Sequence, residues 1–194
     1  MSRPRGKMIG AFTLVELLVS VAIFVFMTAL LMAKYGNFNQ SVLLTNLAYD
    51  VALTLRTAQT YGLSVRGESS QFQSPYGVAF CSNNCVSGMT NQKIVIFADN
   101  NGDKIYSSSD LLINSYAIKR GAKVAGFCLT DPCSMINSSV SNLNVSFQRP
   151  HPDAIICSGS PCASSSYAKI FLQAPDNGIR HVVVRKNGQI SVEN

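Results

Sequence analysis

The sequence predicts an α+β protein: a long N-terminal helix, transmembrane in its first half, packed by its second half against an antiparallel β-sheet domain. Three observations carry this. An almost wholly apolar run fills residues 11–33. A helical apolar stripe follows it. Beyond Gly67 the apolar spacing shortens to that of strands, broken by Asn, Gly, Ser and Pro.

The apolar run comes first in the chain and sits behind a basic stretch holding Arg3, Arg5 and Lys7. At about 1.5 Å per residue its roughly 23 residues reach about 35 Å, enough to cross a hydrocarbon core about 30 Å thick. A secretory signal would have a shorter apolar region, about 7–15 residues, with a small-residue cleavage site behind it. No such site precedes Lys34, so a retained transmembrane helix is expected. The basic residues place its N-terminal side in the cytoplasm and the larger C-terminal part outside. One carboxylate, Glu16, interrupts the run. A charge in hydrocarbon costs on the order of 2.5–3.5 kcal/mol even on a lenient scale, so its presence needs a reason.

Gly36 and Asn37 in "KYGNFNQS" predict a bend or local loosening. The helical period then resumes in "SVLLTNLAYDVALTLRTAQTYGLSVRG", where Leu44, Leu47, Val51, Leu55 and Ala58 recur at steps of three and four. Asp50 and Arg56 fall off that stripe. The helix should end between Gly62 and Gly67. After it, "YGVAF", "KIVIFAD", "LLINSYAI", "AKVAGF", "LNVSF", "AKIFLQA" and "HVVVRKNGQISV" read as strands. "NNGD" at 100–103 and "KNG" at 186–188 read as hairpin turns.

Composition points outside the cell. Only 13% of the 194 residues are charged, and Ser, Asn and Gly are plentiful, which is atypical of a cytosolic enzyme. The net charge of +6 is modest, and Arg3, Arg5 and Lys7 supply three of its positive charges. A nucleic-acid-binding domain is usually more basic and more clustered. The six cysteines form three close pairs: Cys81 and Cys85, Cys128 and Cys133, Cys157 and Cys162. In an exported chain this pattern reads as disulfides, with local pairing expected among many connectivities. Zinc is the rival reading, but its sites favour tighter knuckles, and His151 and His181 are not spaced as a ligand pair.

"GAFTLVELLVS" at 10–20 resembles the class III signal of type IV prepilins: a short basic leader ending in a small residue, then Phe-Thr-Leu-aliphatic-Glu and an apolar helix. More weakly, "LAYDVALTLRTAQTYGLSV" at 47–65, "IVIFADNNGDKIYSSSDLLI" at 94–113 and "IRHVVVRKNGQISV" at 179–192 resemble the GspH/FimT group of minor pilins and pseudopilins. The resemblance implies the type IV pilin fold. It implies a leader over residues 1–11, a transmembrane and filament-core helix over 12–35, an amphipathic second half over 36–66, and an extracytoplasmic β-rich domain over 67–194. It also implies a minor subunit of a type IV pilus or a type II secretion pseudopilus. The implied partners are other pilin or pseudopilin subunits, a prepilin peptidase, an inner-membrane assembly platform, and the lipid bilayer before assembly.

In such families the peptidase cuts after the small residue and methylates the new N-terminus, and the Glu stands fifth in the mature chain. Cutting after Gly10 keeps the usual Gly but puts Glu16 sixth. Cutting after Ala11 starts the mature chain at Phe12 and puts Glu16 fifth. The spacing favours Ala11/Phe12, because it serves assembly geometry. The resemblance then gives Glu16 a role. Buried in a filament core, it pairs with the N-terminal amine of a neighbouring subunit and sets axial register. The alternative is a carboxylate that snorkels to the cytoplasmic interface.

Two further patterns stand out. Asp99, Asn101, Asp103 and Asp110 occupy the first, third, fifth and twelfth positions of a calcium-loop count. Lys104 replaces the Gly and Asp110 the Glu of that motif, and an Asn-Gly hairpin with polar flanks is the plainer account. Arg180, Arg185 and Lys186, with His181, form a basic C-terminal segment. Some FimT-like pilins bind DNA there, so DNA capture for natural transformation is the alternative function, set against a simply solvated hairpin. No nucleophile motif, phosphate loop or apolar carboxylate pair accompanies His151 and Asp153 in "RPHPD", which reads as a Pro-bounded loop, so no catalytic activity or catalytic cofactor is expected.

Overall fold

A computed structural model of the chain describes residues 12–64, 74–83, 88–133 and 140–193, and within its helix the backbone alone of 33–39. The chain divides into two compact units, residues 1–39 and 40–194. One helix, α1 (Leu14–Leu63), supplies the described part of the first unit and the start of the second. Gly36 and Asn37 are helical. A single interior Gly costs about 1 kcal/mol, too little to end so long a helix.

In the first unit the span Leu14–Met32 has a mean hydropathy of 2.6, and none of it is buried within the protein. It is long and apolar enough to cross a membrane or to serve as a signal sequence.

The second unit is α+β. Among the described residues ten strands follow the helix: β1 (Tyr76–Cys81), β2 (Lys93–Ala98), β3 (Leu111–Ala117), β4 (Lys123–Cys128), β5 (Asn142–Gln148), β6 (His151–Ser158), β7 (Ala163–Ser165), β8 (Tyr167–Gln173), β9 (Ile179–Arg185) and β10 (Ile190–Glu193). They form two antiparallel sheets, in the orders β3-β2-β1-β5-β6-β7 and β10-β9-β8-β4. The helical stripe behaves as its period requires. Leu44, Leu47, Val51, Leu55 and Ala58 are all buried, in one cluster with Val78, Phe80, Leu143, Val145 and Phe147 of the first sheet and Phe127, Ile170, Leu172, Val182 and Val184 of the second. Asp50 and Arg56 are exposed, as their places off the stripe demand.

Two strands depart from the sequence reading. β6 begins at His151, inside the stretch read as a Pro-bounded loop, and β7 is three residues long. The ladder between β5 and β6 pairs Phe147 with Ala154 and then Gln148 with His151, so Pro152 and Asp153 bulge out of it. Proline lacks the N–H a ladder needs, and a bulge is where a strand tolerates it.

A second apolar cluster lies on the other face of β1 and β2: Ala79, Cys81, Met89, Val95 and Phe97, with Tyr106 packed on it. Tyr106 comes from the long connection between β2 and β3. Its ring centroid stands 5.4 Å from that of Phe97, and its N–H donates to Asn144 Oδ1 at 3.1 Å. The β2–β3 connection is therefore a cover for the sheet.

The helix and the β3 edge are joined by a polar contact. The Tyr116 hydroxyl donates to Asp50 Oδ2 at 2.7 Å. Partial burial first, and then this bond to a carboxylate, push the phenol up from 10.0 to about 12. Because the folded value lies above the unfolded one, the contribution is fully present below pH 10.0 and is lost as pH rises toward about 12. Difference ultraviolet titration of the protein against its Tyr116→Phe variant should show one phenol ionising near pH 12. In Asp50→Asn that phenol should ionise at lower pH. An unchanged titration in Asp50→Asn would show that the carboxylate plays no part.

Candidate functional site

The first candidate region is the start of α1. Thr13 precedes the first helical residue, and its Oγ1 accepts a hydrogen bond from the Glu16 N–H at 3.2 Å. The Leu17 N–H bonds to the Thr13 carbonyl at 3.1 Å. Thr13 is thus the N-cap, and Thr-x-x-Glu is the spacing of a capping box. That signal is present in the sequence and adds a local reason for a carboxylate in the first helical turn, where the helix dipole favours negative charge. The box is only half made. Among the described residues the Glu16 carboxylate accepts no hydrogen bond and meets no cation. Around it Phe12, Leu14, Val15, Leu17 and Leu18 are each at least 60% exposed. The start of the helix therefore presents an uncommitted carboxylate on an uncovered apolar rod. Gly10 and Ala11, on either side of one possible cleavage bond, lie outside the described residues; Phe12 is the first residue described.

The loop from Asp99 to Asp110 brings the four calcium-count residues into one connection, but their oxygens serve the chain itself. Asp99 is buried; its Oδ1 accepts from Gly102 N–H at 2.7 Å, and its Oδ2 from Lys104 N–H at 3.1 Å. Lys104 Nζ lies 3.6 Å from the same carboxylate. Asp103 accepts from Ile105 N–H at 2.8 Å and from the Asn101 amide at 2.8 Å. Asp110 accepts from Asn100 N–H at 3.1 Å and from Ser107 N–H at 2.8 Å. Lys104 adopts a positive φ of 66° at the place where the calcium motif has Gly. Among the described residues no group of three or more His, Cys, Asp or Glu side chains is arranged to hold a metal. What these carboxylates visibly do is satisfy loop N–H groups, so that Tyr106 can lie on the sheet.

The cysteines read as disulfides are oxidised where they are described. Cys128 bonds to Cys133 and Cys157 to Cys162, with Cα separations of 6.2 and 4.9 Å. Cys81 is also in a disulfide. Its expected partner Cys85 lies outside the described residues.

The basic C-terminal residues are not brought together. On β9, Arg180 pairs with Leu172 of β8 and Arg185 with Tyr167, and residues five apart on a strand point to opposite faces. Arg185 Nη1 lies 2.6 Å from Asp131 Oδ2, and its guanidinium carbon stands 5.3 Å from the Tyr167 ring centroid. Asp131 belongs to the short loop closed by Cys128–Cys133, so that disulfide presents the partner of Arg185. Lys186 lies in the turn and takes no part in either contact. Instead it lines a cavity with Arg149 and His151. Arg180 and Arg185 therefore take opposite faces of β9, and Lys186 lies in the turn beyond it. The grouping that does form joins the β5–β6 turn and the start of β6 to the β9–β10 turn, which no linear spacing could reveal.

No family model, no curated protein and no solved structure matches the chain.

Proposed function

We propose that the chain is a prepilin-type subunit: inserted in the membrane by the Leu14–Met32 span, cleaved at Ala11/Phe12 or Gly10/Ala11, methylated at the new N-terminus, and assembled as a minor pilin or pseudopilin. The observation that carries this reading is the junction of three features on one element. The "GAFTLVE" signal heads α1, the following span is apolar and uncovered, and its one carboxylate has no partner among the described residues. A lone apolar rod of this kind needs a bilayer or other copies of such a helix around it. Its second part packs on antiparallel sheets, which agrees with the arrangement that the type IV pilin fold requires. The filament would be a type IV pilus or a type II secretion pseudopilus. The mature domain would face the periplasm or the cell exterior, in keeping with its disulfides.

The test is the mass of the mature chain. Protein from cells with an active prepilin peptidase should lack residues 1–10 or 1–11 and carry one added methyl group. In cells without that peptidase the full chain should accumulate in the membrane. A chain that still begins at Met1 or Ser2 in peptidase-positive cells removes the proposal.

A further inference from the structure

The cavity lined by Arg149, His151 and Lys186 is a second site of a different kind. It measures about 540 Å³ and lies where the β6 bulge, β7 and the β9–β10 turn meet. Pockets of roughly 300–1,000 Å³ are the usual size for small-molecule ligands. Its position follows from backbone bonds that tie the two sheets together. Ala154 N–H donates to the Lys186 carbonyl, and Lys186 N–H to the Ser166 carbonyl, at 2.8 and 2.9 Å. The Pro152–Asp153 bulge, which interrupts the β5–β6 ladder, lies on the cavity side of this junction.

We propose that this cavity binds an anionic sugar residue, a hexuronic-acid unit held by its carboxylate at Lys186. Four features select that class. Arg149 and Lys186 against Asp153 leave the lining with a net positive charge, and His151 adds a donor or acceptor at either ring nitrogen. Among the described residues the side chains of Lys186, His151 and Asp153 make no hydrogen bond or ion pair, whereas Arg149 is already engaged within the protein. Lys186 is thus the cation open to a carboxylate. Ser164, Ser166 and Gln148 offer polar groups suited to sugar hydroxyls, and Ile155, on the face of β6 turned away from the core that takes Ala154 and Ile156, offers an apolar contact for a pyranose face. A bare inorganic anion would leave most of this volume and the Ile155 contact unused. Nucleophilic chemistry lacks its geometry here: no described serine is hydrogen-bonded to His151, and His151 is not hydrogen-bonded to Asp153.

The experiment uses the full chain in a non-glycosidic detergent at low salt, titrated calorimetrically with sodium glucuronate and with a hyaluronan tetrasaccharide. Glucose and chitotetraose are the neutral controls. Saturable binding of either acidic probe with none of the neutral ones is expected. Binding of the tetrasaccharide identifies a polysaccharide as the source of the unit, and binding of glucuronate alone identifies the free acid. Lys186→Ala removes one charge-assisted hydrogen bond and should weaken binding about tenfold or more. The backbone bonds of residue 186 remain in that variant, so the fold is retained. Asp153→Asn should tighten binding, and Lys123→Ala, at the exposed first position of β4 and not in the cavity lining, should leave it unchanged. Failure of both acidic probes to bind overturns the proposal. So does equal binding of the neutral sugars, or an equal loss in Lys186→Ala and Lys123→Ala. None of these outcomes depends on leader processing or filament assembly, so the site stands or falls apart from the filament reading.

Discussion

Gly188→Ala is expected to destabilise the β-rich unit by roughly 3 kcal/mol or more, while Gly102→Ala costs about 1 kcal/mol. Both glycines have a φ of +80°, so the backbone strain of adding a side chain is shared. They differ in space. Around Gly102 a new Cβ meets nothing within 4 Å. At Gly188 it would stand 2.2 Å from the Pro152 carbonyl oxygen and 2.8 Å from Gln59 Nε2. Those atoms are a junction: Gln59 of α1 donates to the carbonyls of both Pro152 and Gly188, each at 3.2 Å. The turn cannot retreat without breaking its own bonds, Gly188 N–H to Arg185 at 2.9 Å and Arg185 N–H to Gln189 at 3.0 Å. Helix, β6 bulge and β9–β10 turn must therefore separate. Thermal melts of the detergent-solubilised chain by near-ultraviolet circular dichroism provide the measurement. About 2–4 °C is lost per kcal/mol in a domain of this size, so Gly188→Ala should melt roughly 6–12 °C lower. Equal losses in the two variants would show that the junction contributes nothing.

Glu16→Ala should abolish assembly while leaving insertion and processing intact. This follows from the proposed subunit role and from the position of the carboxylate. It lies one turn into α1, beside exposed Phe12, Leu14, Val15 and Leu17, with no partner of its own among the described residues. In the bilayer it is a cost of about 2.5–3.5 kcal/mol, so its removal makes insertion no harder. In a filament core a neighbour's N-terminal amine would supply the missing cation, and breaking such a buried pair costs about 3–5 kcal/mol. Incorporation into sheared filaments should then fall by roughly a hundredfold or more, the factor that such a cost implies. Glu16→Gln retains the shape and loses the charge, so it should fail similarly. The N-cap bond is made by the backbone N–H of residue 16 to Thr13 Oγ1 and survives both substitutions. A fall in filament content therefore reports the charge and not a frayed helix. Wild-type incorporation of Glu16→Ala would reduce Glu16 to a tolerated carboxylate at the membrane interface.

What the sequence determined by itself is what depends on near neighbours. The step of three and four in Leu44, Leu47, Val51, Leu55 and Ala58 could only be the buried stripe of a helix, and all five are buried. The apolar run needed no partner to be legible as a possible membrane span, because length and composition decide it. Alternating β-branched and aromatic runs marked most of the strands, and cysteines five apart in sequence closed their own loops. The Thr13 cap is equally local, and "TLVE" carries its signal, but the sequence reading passed over it. Contacts distant in sequence lay beyond that reach. Two prolines made "RPHPD" read as a loop, until a bulge against β5 and a bond from Ala154 to Lys186 turned it into the start of β6. Asp99, Asp103 and Asp110 had the order of a cation loop, but the fold turns their oxygens toward the loop's own N–H groups. Arg180, Arg185 and Lys186 looked like one basic patch, because a linear reading does not show which face of a strand each side chain takes. Tertiary structure gave Arg185 to Asp131 and placed Lys186 with Arg149 and His151. Backbone periodicity is set within a few residues, whereas a cavity forms only when strands far apart in sequence are brought side by side.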